Sequence, residues 1–532
     1  MKYVFVTGGV VSSLGKGITA SSLGRLLKAR GFKISMQKMD PYLNMDPGLL
    51  SPLQHGEAFI TDDGVAADLD LGHYERFIDC TLRGEASVTT GKLHAAIMRR
   101  ELAGEYRGGT IQTIPHVTNE IKERIQTVAS NAAADIAIVE IGGTAGDMEC
   151  APYLEAIRQL RWEVGGENCC FIHVTLIPYI AAAGELKTKP TQQSVMQLRS
   201  IGIQPDVLVC RTEHELSLEL KSKIALFCNV NQWAVVQNRD ADCLYAVPLL
   251  LEKEGFADAV TNVLRLGKRK PDLAAWESIV DRFLHPKRRL RVAMVGKYVD
   301  LHDAYLSVAE ALTHAAIAHC VAVDIEWIQS ADLTPANVGD MLGSMDAVVL
   351  PGGYGERGAE GIILAARYAR ERDLPCLCIG FGMQLAVVEA ARHLAGMAGA
   401  NSTEVSAVTP HPVVYVPEER VAMARTRNGS RNGAQRVLLA PGSRMAQIYG
   451  AEAISERHGN RYEISPTFLD SLAAGGLRFV AKEETQGFVE AFEVPANRFY
   501  MGVIFHPEYK SRPDNPHPLF DALIAAAMGE EQ

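Results

Sequence analysis

Short apolar runs recur along the chain and alternate with stretches whose apolar positions repeat every three or four residues. These runs predict buried strands at residues 3–7, 33–37, 136–141, 171–177 and 207–210. Runs of this kind are typical of strands that are covered by helices on both faces. The pattern therefore predicts an α/β fold built on a parallel sheet.

A charged stretch interrupts this pattern at residues 267–289 and predicts a linker. New apolar runs at residues 290–295, 347–350 and 376–379 predict a second α/β unit. A chain of 532 residues is too long for one core, because a domain usually holds about 100 to 200 residues. We therefore expect one domain at residues 1–266 and another at 290–532.

The composition agrees with the predicted α/β fold and argues against nucleic acid and membranes as partners. The chain is 47% hydrophobic and 22% charged, as in a soluble α/β enzyme. Its formal net charge of -10 argues against a surface that coats nucleic acid. No apolar run approaches the length of about 18 residues that indicates a membrane span, and the ten cysteines show no metal-ligand spacing. We expect a cytoplasmic protein with reduced thiols and with neither nucleic acid nor membrane as a partner.

The first predicted strand runs directly into a glycine-rich loop and a helix, with the sequence TGGVVSSLGKGIT at residues 7–19. Backbone N–H groups of such a loop gather at the helix N-terminus and favour phosphate. Lys16 would then lie on the β- and γ-phosphates. The loop is a variant, because five residues rather than four follow Gly9 before Gly15, and Gly17 replaces the usual Ser or Thr. The alternative is a glycine-rich turn that only tightens a strand–helix unit.

Acidic and basic residues elsewhere complement this loop. Asp70 lies in an acidic segment, and Glu140 ends a predicted strand before a Gly-Gly turn. Such carboxylates suit Mg²⁺, which usually takes one or two of them together with phosphate oxygens; loop capping is the alternative for an isolated Asp. The sequence KTKPTQ at residues 187–192, with Lys223, would suit a second triphosphate or, alternatively, form a solvated face.

A strand, a tight turn and a helix are predicted around CIGFG at residues 378–382. This segment resembles the nucleophile elbow Gly-x-Cys-x-Gly of class I glutamine amidotransferases. Gly380 stands where that family has its catalytic cysteine, and His506 and Glu508 match the base and the carboxylate that orients it. Without a thiolate no γ-glutamyl thioester forms, so the resemblance implies a glutaminase fold without its activity. Cys376 or Cys378 is the alternative thiol, but each is expected to be buried and structural.

Motifs across nearly the whole chain resemble the CTP synthase family. They are SSLGKG at 12–17, KMDPY at 38–42, QHGE at 54–57, DLDLGHYERF at 68–77, EIGGT at 140–144, KTKPTQ at 187–192 and LFCN at 226–229. The resemblance implies an N-terminal P-loop-type synthetase domain, a C-terminal class I glutaminase-like domain and a homotetramer. It also implies an ATP-dependent amination of UTP at C4, in which ATP phosphorylates the uracil O4 and ammonia displaces the phosphate.

The same resemblance, carried over position by position, implies the site residues. Phosphoryl charge would be stabilised by Lys16 and Lys38, and Mg²⁺ would be held by Asp70 and Glu140. ATP would be held by Leu14, Gly15, Lys16, Gly17, Ile18, Thr19, Asp70, Arg239, Asp240 and Ala241. UTP, or CTP as an inhibitor, would be held by Ser13, Asp147, Met148, Glu149, Lys187, Thr188, Lys189, Pro190, Thr191, Gln192 and Lys223. The remnant of the glutamine pocket would comprise Gly353, Phe381, Gly382, Met383, Gln384, Glu404 and Arg461, and the ammonia passage Pro52, His55 and Ala58.

Other positions depart from the family pattern. Leu53 and Ala58 stand where the family usually has Tyr and Val beside the ammonia passage, which implies a wider constriction. The segments at residues 424–433 and 457–463 also differ, which puts activation by GTP in question.

We therefore expect a ligase of the CTP synthase type that uses free ammonia or another small nitrogen nucleophile, with CTP or an N4-substituted analogue as the product. The alternative is a non-catalytic nucleotide-binding subunit that regulates an active homologue.

Overall fold

The computed structural model describes residues 1–11, 14–421 and 429–529. The strands in these ranges are β1 Lys2–Gly8, β2 Ile34–Asp40, β3 Phe59–Ile60, β4 Ala66–Ala67, β5 Ser87–Thr89, β6 Ile136–Ile141, β7 Cys169–Leu176, β8 Tyr179–Ile180, β9 Glu185–Leu186, β10 Val207–Thr212, β11 Val235–Arg239, β12 Arg288–Gly296, β13 Val321–Gln329, β14 Ala347–Leu350, β15 Cys376–Ile379, β16 Asn401–Ser402, β17 Pro412–Tyr415, β18 Arg431–Leu439, β19 Ala453–Asn460, β20 Glu463–Ile464, β21 Arg478–Glu483, β22 Val489–Glu493 and β23 Tyr500–Val503. The helices are α1 Lys16–Ala29, α2 Pro52–His55, α3 Asp70–Ile78, α4 Thr90–Leu102, α5 Thr118–Asn131, α6 Ala151–Val164, α7 Lys189–Ser200, α8 Leu218–Cys228, α9 Val247–Lys253, α10 Phe256–Val263, α11 Ala274–Leu284, α12 Leu306–Ala318, α13 Val338–Leu342, α14 Ala359–Glu371, α15 Phe381–His393, α16 Glu418–Val421, α17 Arg444–Tyr449, α18 Leu469–Ala474 and α19 Pro518–Met528.

The chain forms two compact units. The first comprises Met1–Pro47 and Asp70–Val280, and the second comprises Gly48–Leu69 and Asp281–Gln532. Residues 48–69 therefore pack with the second unit, although the sequence analysis placed them within a continuous domain at residues 1–266.

The stretch predicted as a linker, residues 267–289, contains helix α11. Trp276 of this helix is buried, and its Nε1 donates a hydrogen bond to the carbonyl of Tyr245 at 2.7 Å. The ring of Phe77 packs beside the rings of Tyr245 and Trp276, with centroid distances of 5.4 and 5.6 Å. The apolar face of α11 thus extends the first unit to residue 280.

The first unit is built on a parallel sheet with the strand order β11-β10-β7-β1-β6-β2-β5. Its central strands are buried on both faces, as the uninterrupted apolar runs predict. Val6 of β1 lies in register with Glu140 of β6, so this carboxylate is carried into the core by a strand. A buried carboxylate is costly unless it is paired.

The second unit has a mixed sheet with the order β13-β12-β14-β15-β23-β22-β21-β18-β19. The five neighbouring strands β13, β12, β14, β15 and β23 are parallel to one another. The pairs that follow, from β23 through β22, β21 and β18 to β19, are antiparallel. Strand β15 lies inside the parallel part and leads directly into α15. Sites in parallel sheets form at the carboxyl ends of the strands, which is where Gly380 lies.

Residues 48–69 add the short β3–β4 hairpin to the second unit. Phe59 is fully buried, and Arg457 of β19 donates to the carbonyl of Ile60 at 3.1 Å. The N–H of Ala434 on β18 donates to the carbonyl of Asp62 at 2.8 Å. This hairpin is therefore fastened through its backbone to two strands of the second unit.

The predicted α/β class is confirmed. The apolar runs at residues 136–141, 347–350 and 376–379 coincide with β6, β14 and β15, and the other predicted strands differ from the observed ones by at most three residues at an end. Across the part of the chain that the structure describes, no helix is both long enough and apolar enough to traverse a bilayer.

Candidate active site

The glycine-rich loop connects β1 to α1 in the first unit. Gly15 caps the helix in a left-handed conformation with φ of 80°, which glycine adopts without strain. The Lys16 Nζ donates to the carbonyl of Gly143 at 2.8 Å. A Cβ on Gly8 would lie 2.6 Å from Lys16 Cδ, so a glycine is required for this side chain to lie across the loop. Ser13, which the resemblance implied as a UTP ligand, lies outside the described residues.

Lys38 lies at the centre of a buried cluster of carboxylates. Its Nζ donates to Glu140 at 2.8 Å and also to Asp70, while Asp40 lies 4.0 Å away and the Tyr74 hydroxyl donates to Glu140. Burial raises the pKa of Asp40 to about 6; Lys38 opposes this rise, and Asp70 and Glu140 add to it. Burial also disfavours the charge on Lys38, but the three carboxylates outweigh it and hold the pKa of Lys38 well above its usual range. Three carboxylates against two lysines, Lys38 and the neighbouring Lys16, still leave a net negative site that suits a cation.

The carboxylates of this cluster face the phosphate loop. A Cβ on Gly17 would lie 2.0 Å from Asp70 Oδ1 and 3.5 Å from Glu140 Oε2. A Ser or Thr at position 17 would therefore force the Asp70 carboxylate to move from its present position. Among residues 1–11, 14–421 and 429–529, no three His, Cys, Asp or Glu side chains are grouped as a metal-binding set. A nucleotide-bound Mg²⁺ needs only one or two protein carboxylates, and Asp70 and Glu140 fit that requirement.

A cavity of about 200 Å³ lies beside the loop at the edge formed by β10 and β11. It brings together two groups of residues that the resemblance implied for ATP, the loop residues Leu14, Gly15 and Ile18 and the segment Arg239, Asp240 and Ala241. Its lining also includes Arg211, Asn238, Leu244 and Val247, which the sequence analysis missed. Arg211 donates to Asp240 at 3.1 Å. An Arg at the end of a predicted strand was the only available signal for it.

The basic segment at residues 187–192 lies at the start of α7. Thr191 is buried and its hydroxyl donates to the carbonyl of Leu176 at 3.0 Å, which fixes the first turn of the helix. Lys187 donates to the exposed Glu185, and Lys187, with a smaller contribution from Lys223, lowers the pKa of this carboxylate. The segment thus joins lysine charges to the N–H groups of a helix N-terminus, a combination that favours phosphate. Residues 147–149 are exposed in the turn that follows β6.

Gly380 occupies the sharp turn between β15 and α15 in the second unit. Its φ of 55° and ψ of -111° form a strained backbone conformation that side chains rarely adopt. A Cβ built on Gly380 would lie 3.3 Å from Cε1 and 3.4 Å from Nε2 of His506, with no backbone atom nearer than 3.9 Å. Gly382, by contrast, lies against the Leu350 carbonyl oxygen, which would be 2.0 Å from its Cβ. The turn therefore has the geometry of a nucleophile elbow and carries no side chain at its apex.

His506 faces this turn and is oriented by Glu508. Its Nδ1 lies 2.7 Å from Glu508 Oε1, and its ring stacks on Tyr509 at a centroid distance of 5.4 Å. Burial alone would lower the pKa of His506, but Glu508, with a smaller contribution from Glu57, raises it above the usual value. A histidine and the carboxylate that orients it thus lie beside Gly380.

A cavity of about 340 Å³ in the second unit adjoins His506. Of the predicted glutamine-pocket residues, Gly353, Glu404 and Arg461 line it. Glu404 accepts a hydrogen bond from the N–H of Gly355 at 2.9 Å, and burial raises its pKa. Phe381, Gly382, Met383 and Gln384 are instead buried at the start of α15, outside the lining.

The predicted ammonia passage is only partly reproduced in this cavity. Pro52 and Ala58 line it, whereas Leu53 and His55 are exposed and do not. Of the four residues of α2, Pro52 lines the cavity and residues 53–55 are exposed, so the predicted effect of Leu53 on the constriction does not follow. Sequence reasoning missed Tyr298 and Tyr305, which line the cavity after β12.

The two cysteines that precede this turn lie in the core. Cys376 and Cys378 are fully buried in the core, with their sulfurs 3.7 Å apart. Burial raises the pKa of Cys376 well above its usual value, which disfavours a thiolate.

Two family models match the chain, one for each part. The model described as CTP synthase N-terminus matches residues 2–266, and the model described as Glutamine amidotransferase class-I matches residues 300–526. Fold and sites together define a synthetase joined to a class I amidotransferase domain.

Full-length relatives specify the family. The CTP synthase of Pelotomaculum thermopropionicum is 53% identical over 526 residues, covering 99% of this chain and 98% of the relative. The CTP synthase of Methanocaldococcus jannaschii is 50% identical over 537 residues, covering 100% of this chain and 99% of the relative. A solved structure, the glutaminase domain of Trypanosoma brucei CTPS with bound acivicin, is 34% identical with a TM-score of 0.43 and covers 46% of this chain and 95% of that one. The chain belongs to the CTP synthase family, ligases that use ATP and UTP.

Proposed function

We propose that this chain converts UTP to CTP with ATP, and that its nitrogen comes from free ammonia or another small nucleophile. The observation that carries the second part is the elbow between β15 and α15, where the residue that faces His506 is Gly380, which carries no side chain. With ammonia the product is CTP; with another small amine it is an N4-substituted analogue.

The first unit would supply position and charge. The uracil O4 attacks the γ-phosphorus of ATP, and the bond from that phosphorus to the ADP oxygen breaks. The nitrogen then attacks C4, the C4–O bond breaks and phosphate leaves. Lys16 and Lys38 would stabilise the charge that develops on the phosphoryl group. Mg²⁺ held by Asp70 and Glu140 would supply further positive charge when it is bound.

The two nucleotides would lie on opposite sides of the loop. ATP would extend from Lys16 into the cavity lined by residues 239–241, and the triphosphate of UTP would bind at the N-terminus of α7 with Lys187 and Lys223. Support for this arrangement comes from the cavity beside the loop and from the basic segment at the N-terminus of α7. Residues 147–149 would contact the pyrimidine nucleotide.

The second unit would lack glutamine hydrolysis. A histidine and a carboxylate act in this chemistry only by activating a nucleophile, and amide hydrolysis through a thioester needs a thiolate at the elbow. The buried positions of Cys376 and Cys378 argue against either one acting in its place.

Other properties follow from this proposal by family likeness. Because GTP acts in such enzymes by promoting glutamine hydrolysis, we expect no activation by GTP here. We also expect a cytoplasmic homotetramer. A non-catalytic regulatory role is not favoured, because the loop lysine, the carboxylate cluster and the basic segment of α7 are all present.

Ammonium should support ATP-dependent amination of UTP, and glutamine should not. The measurement is mass-spectrometric detection of CTP in reactions with ¹⁵N-ammonium or with glutamine labelled at its amide nitrogen. We expect glutamine to give at most about 1% of the ammonium rate, since loss of a nucleophile costs several orders of magnitude. Comparable incorporation from glutamine would overturn the proposed loss of glutaminase activity, and absence of CTP with either donor would overturn the ligase assignment.

Ala58→Val should reduce turnover with hydroxylamine relative to ammonium by about threefold or more. Valine fills roughly 20 to 50 Å³ of space beside the passage, which affects the larger nucleophile first. Leu53→Ala is the matched control, because Leu53 is exposed and does not line the cavity. If both variants keep the wild-type ratio of the two rates, Ala58 does not govern access of the donor.

A further inference from the structure

A buried histidine joins the phosphate loop to helix α7. His173 on β7 is fully buried, and its Nδ1 lies 2.8 Å from Thr7 Oγ1, one residue before the loop begins at Gly8. Its Nε2 lies 2.8 Å from the hydroxyl of Ser194 on α7. One imidazole ring therefore spans the gap between β1 and α7.

The ring is neutral and its hydrogen bonds have a defined direction. Burial, reinforced by the charge of Lys16, lowers the pKa of His173 to about 3. The Thr7 hydroxyl donates its proton to the carbonyl of Ile172 at 3.1 Å, so it must accept from Nδ1–H of the ring. Nε2 then accepts from the Ser194 hydroxyl. All three polar groups are satisfied only while α7 keeps its position against the strands.

The loop backbone itself rests on α7. A Cβ on Gly9 would lie 1.7 Å from Ser194 Oγ and 3.0 Å from His173 Nε2, so a side chain there would displace the Ser194 hydroxyl from the ring. The N–H of Gly9 donates to the carbonyl of Val174 at 3.1 Å, which holds this contact in place. A shift of α7 toward the loop would displace Gly9, and a shift away would break the bond to Ser194.

Helix α7 also contacts the turn after β6. The Gln197 side chain lies about 3.0 Å from where a Cβ on Gly146 would be, directly before residues 147–149. The same helix thus contacts the phosphate loop at Ser194 and this turn at Gln197, while its N-terminus carries the basic segment.

We propose that His173 is a positioning residue that couples the two nucleotide sites, so that a nucleotide in the phosphate loop strengthens binding at the N-terminus of α7. This inference rests on the proposed function, which assigns ATP phosphates to the loop and the UTP triphosphate to α7. Either ligand would hold one end of the Thr7–His173–Ser194 chain in the position that the other ligand requires.

The test is the binding of UTP, measured by calorimetry with and without a saturating ATP analogue whose β,γ-bridging oxygen is replaced by nitrogen. In the wild-type protein we expect the analogue to tighten UTP binding by about 5- to 20-fold, as for a typical coupling between sites. In His173→Leu the analogue should change the affinity for UTP by less than about twofold, while each nucleotide alone still binds. Thr7→Val and Ser194→Ala, which each remove one hydroxyl, should reduce this coupling in the same way. The double variant should lose no more coupling than either single variant.

His314→Leu is the matched control, because this fully buried histidine also bonds to a serine, Ser511, at 2.9 Å, but lies in the second unit. It should leave the coupling factor unchanged. Coupling that is absent from the wild-type protein, or that persists in all three variants, would overturn the inference. Wild-type protein that binds neither nucleotide would instead overturn the proposed function. If His173→Leu does not fold, the two hydroxyl variants decide the outcome.

Discussion

Gly380→Cys should give this chain the ability to take nitrogen from glutamine. The new Cβ would lie 3.4 Å from His506 Nε2, which places a thiol within reach of a histidine already oriented by Glu508. Glu404 and Arg461 still line the adjoining cavity. We expect glutamine-dependent CTP formation to rise by about 100-fold or more over the unmodified chain, because a nucleophile and its base act as a unit.

The controls separate the thiol from the backbone change. Any side chain at position 380 must adopt a φ of 55°, so both Gly380→Cys and Gly380→Ala should lose about 1 to 3 kcal/mol of unfolding free energy. Only the cysteine variant should use glutamine, and combining it with His506→Ala should abolish the gain. A folded Gly380→Cys protein that hydrolyses no glutamine, measured as glutamate release, would show that the cavity no longer accepts glutamine.

Lys16→Ala should lower turnover by about 100- to 1,000-fold or more with every nitrogen donor. Lys16 is the loop cation, and the phosphoryl charge it would stabilise is common to all donors. His506→Ala should change ammonium-dependent turnover by less than about threefold, since His506 lies in the second unit and would serve only glutamine hydrolysis. The measurement is the steady-state rate of ADP and CTP formation with ammonium and with hydroxylamine.

Lys92→Ala provides the comparison for Lys16→Ala. Lys92 is also partly buried in the first unit and donates to a carbonyl, that of Ser87, at 2.9 Å. It should keep most of the activity. A large loss of ammonium-dependent turnover in folded His506→Ala protein would mean that the second unit acts in the amination itself.

Part of each large sheet was predictable because several of its parallel strands carry short apolar runs. Strands β6, β14 and β15 could be located to the residue, since burial on both faces leaves them apolar except for Glu140 in β6. Helix α11 was missed because the charged residues on either side of it conceal an apolar face of three side chains, Trp276, Ile279 and Val280. The position of residues 48–69 in the second unit depends on long-range backbone contacts, which leave no periodic signal.

The two sites differed in how far the sequence could predict them. Lys16 and the elbow at Gly380 are marked by glycine-rich turns between a predicted strand and a predicted helix, and such turns require glycine for local reasons. The role of Glu140 as one of several carboxylates around Lys38 depends on strand register, which sequence alone does not supply. The Thr7–His173–Ser194 chain combines three ordinary residues from three separate elements, so nothing in the sequence distinguishes it.

The β3–β4 hairpin limits how the gene for this chain can be shortened. If the coding sequence for residues 281–532 were deleted, Phe59 and Ile60 would lose the surroundings that now bury them, and a truncated product would expose apolar surface from the middle of its remaining sequence. Such patches promote aggregation. A loss of glutamine hydrolysis therefore does not make the second unit dispensable, and selection against misfolding would retain this unit even without its own chemistry.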